Sequence, residues 1–145
     1  MASTESTILS AIESTINGLT FTVDPEEIAI RKWPYDKGRD SNHWYPGVTI
    51  HRLPDDEMNG TNERDDVVYN VGVTMVVDNS ADPTEDDIQA EWQQTIRKAF
   101  IHQRLSGVTC VCTCLIAPGP EYRNVPENYD VSSLTVRVVS RETRT

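Results

Sequence analysis

Apolar residues recur at helical spacing at the start of the chain. Ile8, Ile12 and Ile16, continued by Leu19, fall on one face of the segment 3–18. That spacing predicts an amphipathic N-terminal helix, and Gly18 suits the position just past its end. Alternation then takes over. "EEIAIRKW" (26–33) and "GVTIHRL" (47–53) read as short strands. "VVYNVGVTMVVD" (67–78) reads as a long one, with Val67, Tyr69, Val71, Val73, Met75 and Val77 on one side. Helical periodicity returns over 83–104, where Ile88, Trp92, Ile96, Ala99 and Phe100 make an apolar stripe. Asp82, Pro83 and Glu85 supply its start signals, and Arg97, Lys98 and Arg104 suit the negative end of the helix dipole. Gly107 is expected to end it. "VTCVCTCLIA" (108–117) and "VSSLTVRVVS" (131–140) follow as two further strands.

The order is helix, three strands, helix, two strands. It predicts an α+β domain: a mostly antiparallel, mixed sheet of about five strands with both main helices on one face. The 145 residues form one domain, with its strand-helix-strand core over 26–142. Two stretches read as loops. One is 118–130, with three prolines; the other is "PDDEMNGTNERDD" (54–66), which has no periodicity and holds the turn signal Asn59-Gly60.

Charge narrows the functional classes. The chain carries 23 acidic against 13 basic residues, a formal net charge of −10. Gripping a nucleic acid by counterion release needs clustered Lys and Arg, so this surface excludes that role. No apolar run approaches the ~20 residues that span a bilayer, so no membrane partner is expected. The first 19 residues hold Glu5 and Glu13 but no basic residue, unlike a signal or transit peptide, and the chain reads as cytoplasmic. Asp55, Asp56 and Glu57, with Asp65 and Asp66, concentrate acid in the 54–66 loop.

Cys110, Cys112 and Cys114 stand at every second position. On a strand such residues share a face with Cβ atoms ~7 Å apart. A disulfide needs Cβ atoms ~3.8 Å apart, and zinc ligands close in sequence need a turn between them. The three thiols therefore read as a small-residue core face, packed with Ile88, Trp92, Ile96 and Phe100. No Gly-rich phosphate loop, nucleophile elbow or paired-histidine metal motif occurs. No catalytic residue, metal or cofactor is expected, and the chain reads as not an enzyme.

Three short sequences carry a family likeness: "YPGVTIHRLP" before the acidic loop, a helix ending "IRKAF", and the late strand "YDVSSLTVRVVSRET". With the order of elements over roughly 5–142, the chain resembles the tail terminator (tail completion) and neck proteins of long-tailed bacteriophages. The resemblance implies a structural virion protein, assembled in the host cytoplasm as a hexameric ring. That ring would cap the tail tube and join the tail to the head-neck, through contacts with the tail tube protein and neck or connector proteins. It further implies that DNA passes through without specific binding, and that Asp55, Asp56, Glu57, Asp65 and Asp66 face the lumen or a neighbouring subunit. A head-completion or connector protein of the same junction is the nearest alternative. A small cytoplasmic hydrolase or ligand-binding domain is the alternative of another class.

Overall fold

The structure is a computed structural model that describes residues 5–35, 44–53, 56–58, 64–78, 84–105, 111–119 and 129–143. It is an α+β fold. Helix α1 (Glu5–Asn17) is followed by strands β1 (Ile28–Ile30), β2 (Gly47–Arg52), β3 (Asp56–Met58) and β4 (Arg64–Asp78). Helix α2 (Thr84–Phe100) leads into β5 (Val111–Pro118) and β6 (Tyr129–Thr143). The strands lie in the order β1-β2-β4-β6-β5, and β3 pairs with β4 beyond β2. Only β1 and β2 run parallel, so the sheet is mixed.

Both helices cover one face. In α1, Ile8, Ile12 and Ile16 are wholly buried because i, i+4 spacing stacks them on one side. Gly18 closes the helix by donating its N–H to the carbonyls of Ser14 and Thr15. Ile96 and Phe100 of α2 are buried with Trp92, while Ile88 is half-buried at the margin. They pack on Val71, Val73, Met75 and Val77 of β4, with Val48, Ile50, Leu134, Val136 and Val138 from the flanking strands.

Three boundaries differ from those read in the sequence. The helix expected over 83–104 ends at Phe100. His102 turns left-handed (φ 57°), and its N–H donates to the Cys114 carbonyl while the Cys114 N–H donates to Gln103. The chain after Phe100 thus serves the edge of β5 instead of continuing the helix. The strand expected over 26–33 is confined to Ile28–Ile30, because the chain turns into a proline-containing aromatic segment after Arg31. Pro118, Tyr129 and Asp130, placed in a loop by sequence, belong to β5 and β6.

The largest correction concerns 54–66, read as one acidic loop. Asp56–Met58 is strand and pairs antiparallel with β4, which begins at Arg64, so the two are the arms of a β-hairpin whose connection, 59–63 with the turn signal Asn59-Gly60, lies outside the described residues. Ladder hydrogen bonding to β4 outweighs the poor strand propensity of Asp and Glu, which depends on context. The register ends at Arg52↔Val71 on β2 and resumes at Asp56↔Val68 on β3, so β2 and β3 follow one another along the same side of β4. Asp82, Pro83 and Gly107, assigned to helix ends by sequence, lie outside the described residues.

Candidate functional site

Strands β4 and β6 pair along all fifteen residues of each, and their far ends reach past β2. The acidic positions collect there. Asp56 stands opposite Val68 and Glu57 opposite Val67 on one side of β4. Asp65 stands opposite Glu142 and Asp66 opposite Arg141 on the other. Four of the five predicted acidic positions are therefore fixed by backbone ladders at one end of the sheet, and Asp55 lies outside the described residues. Sequence reasoning saw the charge but not the scaffold, because alternation there involves polar residues.

The sheet face away from the helices holds a polar network that the sequence reading missed. His51 is buried between strands, with its Nε2 2.8 Å from Thr74 Oγ1. Thr74 Oγ1 in turn lies 2.9 Å from Ser133 Oγ, linking β2, β4 and β6. Gly72 stands opposite His51 in the ladder. A Cβ there would meet the imidazole at 2.4 Å, so the glycine leaves the space the ring occupies. Arg31 crosses the same face. Its Nη1 donates to Thr49 Oγ1 at 3.1 Å, its Nη2 meets Glu27 at 2.7 Å, and its guanidinium lies over the Tyr45 ring. The available signal was alternation within each strand, Thr49 and His51 on β2 and Asn70 and Thr74 on β4, and each alternation alone reads as a solvent face.

Burial lowers the His51 pKa below its ordinary 6.5, and a hydrogen bond with the Arg52 backbone only partly offsets this. The sign of the linkage follows. Below 6.5 the unfolded chain protonates this histidine while the folded chain resists, so stability falls as pH drops into that window. Above it the group contributes no slope. Urea unfolding between about pH 8 and 5 is expected to show this loss in the wild-type chain and less of it in His51→Gln. Equal pH slopes in the two proteins would contradict the assignment.

The cysteines divide. Cys114 is wholly buried against α2 in the main core, Cys112 stands opposite Ser140 in the ladder, and Cys110 lies outside the described residues. Desolvation pushes the Cys114 thiol up to about 11. At pH 8 only about one molecule in a thousand would carry the thiolate, the form that reacts. In a chain with Cys110→Ala and Cys112→Ala, the Cys114 thiol is expected to resist Ellman's reagent until the protein is unfolded. Rapid stoichiometric labelling of the folded protein would contradict this.

Beyond β1 the chain forms an aromatic corner. Tyr35 and Trp44 bridge antiparallel strand-fashion, with ring centres 4.8 Å apart. Trp33 stacks on Tyr35 with ring centres 6.1 Å apart and is 37% exposed, whereas Trp44 is buried. The sequence signal was the aromatic spacing Trp33, Tyr35, Trp44 and Tyr45, with Pro34 between the first two and Pro46 after the last.

Among the described residues no group of three or more His, Cys, Asp or Glu side chains is placed to hold a metal. No described helix is long and apolar enough to cross a membrane. The described residues offer an aromatic corner and a set of acidic positions at one end of the sheet.

No protein-family model matches the sequence, and no curated protein matches it significantly. Among solved structures, the chain is similar to one from the virion of a native gene transfer agent particle, with a TM-score of 0.54 and 9% identity. The likeness covers 97% of this chain and 96% of that one. At that identity it shows a shared fold, continuous from end to end.

Proposed function

We propose that this chain is a structural virion protein, a tail terminator that forms a hexameric ring on the tail tube and joins it to the head-neck. The observation that supports this reading is the mutual, end-to-end likeness to a virion chain: a whole small protein, not a shared motif, has the same fold. The role is structural and not catalytic, and the partners are further copies, the tail tube protein and neck or connector proteins.

In this reading the acidic hairpin end, with Asp55, Asp56, Glu57, Asp65 and Asp66, faces the bore or a neighbouring subunit. Repeated around a ring, these carboxylates repel DNA phosphates and let the duplex slide. Replacing all five with Asn or Gln is expected to leave the melting temperature nearly unchanged, because relief of the like-charge pair Asp65 and Glu142 is offset by loss of the opposite-charge pair Asp66 and Arg141. Replacing them with Lys is expected to lower infectious yield more than neutralisation does, because lysines in the bore would hold phosphates electrostatically. The experiment is complementation of a deletion of the gene with the three versions, beside electron micrographs of tail length and head attachment. Full complementation by the Lys version would remove the lumen role.

A further inference from the structure

Basic residues are concentrated in one place on this acidic chain. Residues 31–39 carry Arg31, Lys32, Lys37 and Arg39 against one acidic residue, Asp36, in a chain whose formal net charge is −10. The same stretch opens the aromatic corner. Its rings are already stacked, Trp33 on Tyr35 and Tyr35 against the buried Trp44. Arg31 is fixed by Glu27, Thr49 and the Tyr45 ring. Lys32 and Trp33 nonetheless stay exposed. A Trp held by its neighbours loses little freedom when a partner covers it. Trp, Tyr and Arg are also the residues enriched where binding energy concentrates in an interface.

The chain carries the chemical complement of this corner at another place. Strand β3 consists of Asp56, Glu57 and Met58, and apart from Pro54 that methionine is the one apolar residue of 54–66. It therefore joins two carboxylates to a thioether, as the corner joins cations to an aromatic face, and thioethers pack favourably on aromatic rings. The two places are too far apart to meet within one copy. Arg31 bonds to Ile50, which stands opposite Val73, whereas Asp56 stands opposite Val68. That difference of five positions along β4 is ~17 Å of strand. Pro34 bonds to Tyr45, which precedes β2 and lies further still from β3.

We infer that the corner at Lys32 and Trp33 receives β3 of a second copy of this chain, with Trp33 packing on that copy's Met58 and Lys32 facing its Asp56 and Glu57. Opposite charge at these two patches offsets the repulsion between copies of net charge −10 and fixes which surfaces meet. Because the patches differ, the contact is heterologous. Each copy gives one patch and receives the other, and a series of copies closes into a ring where the rotation permits. The contact deepens the ring proposal above, on which the number of copies rests, and assigns the acidic positions of β3 to a neighbouring subunit. It is itself a property of the isolated chain.

Light scattering on purified protein at low ionic strength tests it. Lys32→Ser with Trp33→Ser disables the corner, and Asp56→Asn, Glu57→Gln and Met58→Ser together disable β3. Circular dichroism confirms folding. Lys32→Glu replaces the first variant, and Asp56→Asn with Glu57→Gln the second, should either fail to fold. The wild-type chain is expected to form species larger than a dimer. Its association is expected to weaken about tenfold or more between about 0.05 and about 0.5 M NaCl, because salt screens charges at a surface contact. Each variant alone is expected to associate roughly thirtyfold more weakly, the loss that follows truncation of a hot-spot side chain. Their equimolar mixture is expected to stop at a dimer, since one intact patch remains on each partner. A wild-type chain that stays monomeric at its highest soluble concentration overturns the contact. So does a variant that assembles like the wild type. Duplex DNA retained by the wild-type chain and released by the corner variant, with self-association unchanged, would assign the corner to DNA and overturn it too. Variants that assemble normally, alongside wild-type protein found at the tail end of particles, would remove this contact alone. Corner-to-β3 association by a chain missing from particles would remove the virion reading alone.

Discussion

Replacing Trp92 with alanine is expected to destabilise the fold by about 3–5 kcal/mol, the range for truncating a large aromatic residue in a core. Trp92 is 4% exposed and belongs to the cluster that joins α2 to the sheet. It also ties distant parts of the chain together. Its Nε1 donates to the Val23 carbonyl at 2.7 Å, and Glu91 beside it accepts the Thr22 N–H, so α2 holds the connection between α1 and β1. Trp92→Phe keeps most of the packing and removes the indole donor, which is expected to cost about 1 kcal/mol. Urea unfolding of the three proteins measures both terms. A loss under about 1 kcal/mol for the alanine variant would mean that this face of α2 does not carry the core.

Gly47→Ala is expected to cost about 3 kcal/mol or more, from two causes acting at one residue. Gly47 has φ +109°, a conformation that residues with a Cβ adopt only under strain. A Cβ there would also lie 2.2 Å from the Glu27 carbonyl oxygen, a backbone atom that cannot rotate away. Relief requires β1 and β2 to separate at the point where the Val48 N–H donates to that same carbonyl at 2.8 Å. Unfolding of Gly47→Ala, with hydrogen exchange at Ile50 and Arg31, checks this. A variant as stable as the wild type with β1 protected would contradict it.

The α+β class and the order of the main elements were legible because apolar period fixes them. Ile8, Ile12 and Ile16 admit only a helix with one buried face, and Val71, Val73, Met75 and Val77 only a strand. What escaped was pairing that carries no apolar signal. Asp56–Met58 is held by backbone bonds to β4, and no propensity scale favours Asp-Glu-Met as strand. The end of α2 was misplaced because the competitor for its last turn, the Cys114 backbone, lies in another element. The His51, Thr74 and Ser133 network was illegible for the same reason, since its members come from three strands separated in sequence. The acidic cluster was visible as composition, but its placement on paired strands at the end of the sheet required the register.

In the proposed role this chain sits at the end of the tail in an assembled particle. Immunogold labelling of intact virions from the source, viewed by electron microscopy, tests it most directly. Label confined to the junction of head and tail is the expected result. Label distributed along the tail or over the head, or particles without label, would contradict it.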